Sequence, residues 1–182
     1  MKTKLLVLAG LCAAVVFLVS AAATGNRQVT QNKLSPSAET QISLGGNMIT
    51  IEYNAPSARA RKVEGGLIPY GKVWRLGADA ATTLTTTADI EIGDLHVPKG
   101  VHTLYLFAKD ADNWELVVNK QTHQWGTEYS EGQDLGRVPM HVEHLSQPVE
   151  QLSIQLKAGA DNSGTLQVEW GQSRATVPVK IA

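Results

Sequence analysis

One cysteine, Cys12, stands in the whole chain, and it lies inside an apolar stretch near the amino terminus. Disulfides and thiol catalysis are therefore excluded for everything that follows it, and a packed core must supply the stability. Positive charge is no more abundant: 16 Lys and Arg stand against 17 Asp and Glu, a net charge of −1, with no basic run. Such a chain has no excess charge with which to neutralise phosphates, so nucleic acid is not an expected partner. No Gly-x-Ser-x-Gly elbow, phosphate loop or dinucleotide fingerprint occurs, which removes the usual grounds for serine-hydrolase or nucleotide chemistry. Internal repeats and low-complexity tracts are missing too. So is sustained three-to-four apolar spacing, apart from a short helical turn suggested near Ala78 and Ala81.

The one long hydrophobic run covers residues 5–23, preceded by Lys2 and Lys4 and closed by Ser20-Ala21-Ala22-Ala23. A basic start, an apolar centre and a small-residue exit are the parts of a secretory signal peptide, with cleavage expected after Ala23. An uncleaved membrane anchor is the alternative, and only then is the membrane a partner. Lipoprotein processing does not fit, because Cys12 follows Leu11 in mid-run. Loss of residues 1–23 would leave about 159 of the 182 residues and 14 basic against 17 acidic side chains. The expected organisation is a signal peptide at 1–23, a flexible polar lead-in at 24–37 and a single domain at 38–182, exported to the periplasm or the extracellular space.

Period-two patterning dominates the rest. Ile49, Ile51 and Tyr53 alternate with polar neighbours, as do Leu152, Ile154 and Leu156, then Leu166, Val168 and Trp170, then Ala175, Val177, Val179 and Ile181. These predict half-buried strands. Turn formers at 159–164 and at Gly171-Gln172-Ser173 predict a carboxyl-terminal antiparallel meander. Leu104-Tyr105-Leu106-Phe107-Ala108 is apolar on both parities and residues 114–118 nearly so, which predicts central strands covered on both faces. A polar loop at 109–113 joins them, and Gly93-Asp94 turns a second hairpin between Ile90 and Val97. About ten short strands with little helix predict an all-β fold, an antiparallel, jelly-roll-like β-sandwich with one long ordered loop.

That loop, residues 54–79, is too long for an idle connection. It carries Arg59, Arg61, Lys62, Tyr70, Lys72, Trp74, Arg75 and Asp79. Guanidinium forks beside aromatic rings suit an anion or a sugar. The competing reading has Tyr70 and Trp74 plugging the sandwich while the arginines pair with Glu52, Glu64 or Asp79. Strand parity sends Trp74 and Arg75 to opposite faces, so the two are not expected in one pocket. A second cluster holds Trp125, a candidate stacking platform, followed by Tyr129, Asp134 and Arg137. His141 and His144 make a poor chelate on a strand, His102 belongs at the rim of the core, and His96 and His123 lie at turns. No metal, no cofactor and no catalytic residue is assigned.

Several stretches resemble the bacterial domain of unknown function 2911. They are Ile51-Glu52-Tyr53-x-x-Pro56 with Arg61, the run Leu67-Ile68-Pro69-Tyr70-Gly71-Lys72-Val73-Trp74-Arg75-Leu76-Gly77-Ala78, Pro98-Lys99-Gly100-Val101-His102-Thr103-Leu104, Asn119-Lys120 with Trp125-Gly126, and Asp134-Leu135-Gly136-Arg137-Val138-Pro139. The resemblance implies a secreted or envelope β-sandwich-like protein of bacteria and carries no activity or catalytic residues with it. Val101-His102 departs from the small or hydroxylated pair usual in similar sequences. The leading expectation is an envelope binding module for a small polar, anionic or carbohydrate-like ligand, held by Arg61, Tyr70, Arg75, Trp125 and Arg137. A structural or interaction protein without a small-molecule site is the second reading, and a hydrolase of envelope glycans or esters the third.

Overall fold

A computed structural model describes residues 34–182; the expected signal peptide at 1–23 and most of the expected lead-in at 24–37 lie outside the described residues. Ten antiparallel strands make up the fold: β1 (Ser37–Leu44), β2 (Asn47–Asn54), β3 (Lys72–Trp74), β4 (Thr82–Thr86), β5 (Ile90–Ile92), β6 (Leu95–Val97), β7 (Gly100–Ala108), β8 (Trp114–Asn119), β9 (Asp134–Ala158) and β10 (Ser163–Ile181). The order β1-β2-β4-β7-β8-β9-β10-β5-β6 traces one sheet that does not close into a barrel, with β3 paired to β7 beside β4. The only helical element among the described residues is a 3-10 turn at Glu131–Gln133. No helix among them is long and apolar enough to cross a membrane.

The 25-residue β9 makes the sheet into a sandwich. Its first part pairs with β8 and its remainder with β10, so the strand leaves one layer and enters the other. The inward rows of β2, β4 and β7, including Ile49, Ile51, Leu84, Leu104 and Leu106, share one core with Leu152, Ile154, Leu156, Leu166 and Val168. Alternation forces this arrangement, because every second side chain of each strand faces the opposite layer. β7 is buried on both parities, as its sequence predicts. Leu104 and Leu106 enter the core, while Tyr105, 1% exposed, lies under the loop that follows β8 and packs edge-on against Tyr129 at 4.9 Å.

Two expectations are corrected. Gly171-Gln172-Ser173 is not a turn: β10 runs through it as one strand, with register shifts on either side of Gly171. The φ of +60° at Gly171 supplies the irregularity, and a Cβ there would meet Glu64 Oε1 at 2.6 Å and Val63 Cβ at 2.8 Å. The carboxyl end is therefore one long hairpin, closed at Asp161 and Asn162, both left-handed at φ 52° and 54° as a primed turn requires. Residues 78–81 form bends and an isolated bridge between Ala80 and Trp125, not a helical turn. A further strand, β1, goes unannounced because its inward positions begin with Ala38 and Thr40, and only Ile42 and Leu44 are buried apolar residues.

The outer edge of β9 is satisfied across the sandwich. The amide of Leu152 donates to Pro56 O at 2.9 Å, that of Ile154 to Tyr53 Oη at 3.0 Å and that of Leu156 to Thr40 Oγ1 at 3.0 Å. An edge that would otherwise template aggregation is thus consumed by the facing layer. Tyr53→Phe leaves the buried Ile154 amide without its partner, and the expected loss is about 1–3 kcal/mol in urea denaturation. A change within experimental error would show that water replaces the hydroxyl.

Candidate functional site

The loop between β2 and β3 is built onto that same edge. Ala58 N donates to Glu150 O at 2.8 Å, Ser57 bridges Gln151, and Arg59 N donates to the Glu150 carboxylate at 2.8 Å. Arg59 and Ala60 then turn the chain with φ of 51° and 58°. Farther along, Glu64 accepts from Gln172 N at 2.7 Å and Ser173 Oγ at 2.9 Å, which fastens the loop to the irregularity in β10. Past β3, Leu76 and Asp79 are again left-handed, at 47° and 59°. Four non-glycine residues in this conformation within one segment mark backbone held in place by its surroundings, a condition that clusters at functional sites.

Between these turns lies a cleft of about 300 Å³ whose lining includes Arg59, Arg61, Arg75, Asp79, Trp74 and Trp170. Trp74 and Trp170 stack with ring centroids 5.5 Å apart. Trp170, 2% exposed, is further fixed by its indole N–H donating to Glu150 O at 3.0 Å. Trp74 and Arg75 both line this cleft, against the parity expectation. The reason is local: β3 ends at Trp74, and the left-handed Leu76 takes Arg75 out of strand alternation.

The arginines use part of their donor capacity on carbonyls. Arg59 Nη2 donates to Leu34 O at 2.8 Å, Arg61 Nε and Nη2 to Ala58 O and Ser57 O at 2.9 Å each, and Arg75 Nε to Gly77 O at 3.2 Å. Among the described residues, none of the three forms a salt bridge with a carboxylate. Each guanidinium carries five N–H donors, so each keeps donors for a ligand. Gly126 closes against Arg75: its amide donates to Asp79 O at 2.9 Å, and a Cβ there would meet Arg75 Cδ at 2.9 Å.

Of the sequence-predicted residues, Arg61 and Arg75 come together in this cleft. Tyr70, 38% exposed, lies against Gly65, so it does not plug the sandwich. Trp125 is 51% exposed and projects from its own loop. Arg137 is engaged elsewhere, with Nη2 at 2.9 Å from Glu131 and 3.1 Å from Tyr129 Oη, Nε at 3.4 Å from Asp134, and Cζ 5.3 Å from the Phe107 ring centroid. Burial works against the Arg137 charge, but Tyr129 and Asp134 outweigh it and hold its pKa above the usual value. Arg59 and Trp74 belong to the loop that the sequence marks but not to the expected ligand set, and Trp170 belongs to neither. Trp170 sits on a strand 95 residues beyond Arg75, where only alternation is legible.

Tyr129 anchors the second cluster, donating to Asp134 Oδ2 at 2.6 Å while Asn119 donates to Oδ1 at 2.8 Å. Burial first, then the bond to Asp134, pushes the Tyr129 hydroxyl up to about 12 from 10.0. The folded state therefore holds this proton more tightly than the unfolded chain. Its contribution is complete below pH 10 and is lost as pH rises through about 12. Tyr129→Phe is expected to flatten the fall of stability across that window, measured by urea denaturation; an unchanged slope would place the alkaline loss elsewhere.

His102 is 7% exposed and its Nε2 lies 2.8 Å from Pro98 O, at the rim of the core as expected. Among the described residues no group of three or more His, Cys, Asp or Glu is placed to hold a metal. No curated protein and no solved structure matches the chain. A family model, in contrast, covers residues 35–179, and by that match the chain belongs to the DUF2911 family, described as proteins of unknown function.

Proposed function

We propose that this chain is an exported binding module that takes a small anion, a carboxylate carried on a polar or sugar-like body, in the cleft of Arg59, Arg61 and Arg75. The observation that carries the reading is the convergence of three guanidiniums, none in a salt bridge among the described residues, on a cleft walled by the stacked Trp74 and Trp170. Arg137 is committed to Glu131 and Asp134, whereas among the described residues Arg59, Arg61 and Arg75 meet only backbone carbonyls and keep donors for a ligand. Guanidinium forks match a carboxylate in two parallel bonds, and an indole face accepts the C–H face of a ring. Pre-set left-handed turns hold the donors in place before binding, which lowers the ordering cost. Export rests on the leader pattern of residues 1–23.

A thermal-shift screen of the purified chain tests this directly, because a ligand that binds only the folded state raises the melting temperature. Galacturonate and similar organic acids are expected to raise it, and galactose at the same concentration is not. No shift with any acid would remove the reading.

A further inference from the structure

A second cleft, about 390 Å³, lies on the other side of Trp74 and Arg75, and its lining includes Val73, Tyr105, Thr127 and Tyr129. Leu67, Trp74 and Arg75 line both clefts, so the two share one wall. Their chemistry differs. The first holds three arginines and Asp79, whereas among the described residues the only charged side chain lining the second is Arg75. The tyrosine hydroxyls in the second are already committed: Tyr105 Oη donates to Glu128 O at 3.2 Å and Tyr129 Oη to Asp134 at 2.6 Å. What it presents is ring and aliphatic surface from Pro69, Val73, Trp74 and Tyr129, with the Thr127 hydroxyl beside it and the buried Tyr105 beneath.

The division is held by packing. The Gly126 amide ties the loop after β8 to Asp79, and the missing Gly126 side chain lets Arg75 lie against that backbone. Both walls of the second cleft are therefore fixed relative to the first, one through Gly126 and the other through the pairing of β3 with β7. A single small anion has no use for the second cleft. A ligand that continues past its charged unit does, since sugar rings present C–H faces to aromatic walls and hydroxyls to solvent.

Resting on the anion reading above, we propose that the natural ligand is an acidic oligosaccharide of at least two units, with a carboxylate-bearing unit on Arg59, Arg61 and Arg75 and the next unit against Trp74, Tyr129 and Val73. Calorimetric titration of the full chain with galacturonic acid and with its α-linked trimer tests it. The trimer is expected to bind at least about tenfold tighter than the monomer, beyond the roughly threefold gain that three equivalent units give by statistics alone. Thr127→Trp, which fills the second cleft, is expected to bring the trimer down to the affinity of the monomer. Monomer binding with no further gain for the trimer overturns the two-unit ligand and leaves the anion reading intact. A trimer gain that survives Thr127→Trp, in a variant whose melting shows it folded, overturns the placement. If that variant does not fold, the wild-type comparison of monomer and trimer decides alone. Phenylacetate binding as tightly as the trimer overturns the sugar class in favour of an aromatic acid, and silence from every acid overturns both readings together.

Discussion

Trp170→Ala is expected to cost about 3–5 kcal/mol of stability, the range for truncating a buried large aromatic. Trp170 is 2% exposed on β10, where it faces both the core and the loop that carries the arginines. Its removal opens a cavity, deprives Trp74 of its stacking partner at 5.5 Å and leaves Glu150 O without the indole donor. For a chain of this size, that loss corresponds to a fall in melting temperature of roughly 6–20 °C. Trp170→Phe keeps a ring but not the N–H, and Glu150 O still accepts from the Ala58 amide, so its loss should be smaller, about the 0.5–1.5 kcal/mol of one net hydrogen bond. Chemical denaturation of the three proteins measures the order directly. If Trp170→Ala loses less than about 1 kcal/mol, the cleft floor is not part of the core as described.

The second large effect is on binding. Arg61→Ala with Arg75→Ala removes two of the three guanidiniums, and charge-assisted hydrogen bonds contribute about 1.5–3 kcal/mol each. The double variant should therefore bind galacturonate at least about a hundredfold more weakly by calorimetry. Stability should change little, because among the described residues these side chains donate only to the carbonyls of Ser57, Ala58 and Gly77 nearby in sequence. That contrast separates the two residue classes around the cleft. Trp170 acts through the core and the seat it gives Trp74, whereas the arginines act on the ligand. A double variant that unfolds under mild conditions while its remaining folded fraction binds normally would reverse the assignment.

Much of the fold is legible in the sequence because burial follows period two. Ile49, Ile51 and Tyr53, and later Leu152, Ile154 and Leu156, show which face of each strand meets the core. The two-sided burial of β7 is equally legible, since Tyr105 and Phe107 break the alternation toward apolar. What alternation does not carry is the identity of a partner. Nothing local reveals that Thr40, Tyr53 and Pro56 satisfy the edge of β9 about 100 residues away. Gly171 likewise reads as a turn, because glycine serves turns and bulges through the same freedom at positive φ.

The candidate site is legible to the same extent. Arginine and tryptophan within residues 54–79 point to Arg61 and Arg75 because guanidinium beside indole is unusual in a mere connection. Parity fails at Arg75 because it presumes that the strand continues past Trp74, and the left-handed Leu76 ends it. Arg137 shows the converse failure. Its chemistry suits a ligand, yet Glu131, Asp134 and Tyr129 take up its donors, and such pairing depends on a loop whose path no spacing reveals.

The central claim is that the arginine cleft beside Trp74 and Trp170 is an anion site. Tryptophan fluorescence during a galacturonate titration tests it most directly, made in a Trp125→Phe background so that the exposed indole does not contribute. A saturable change with galacturonate, absent with galactose and abolished by Arg61→Ala with Arg75→Ala, is the expected result. A signal that galactose reproduces, or that persists without the two arginines, would contradict it.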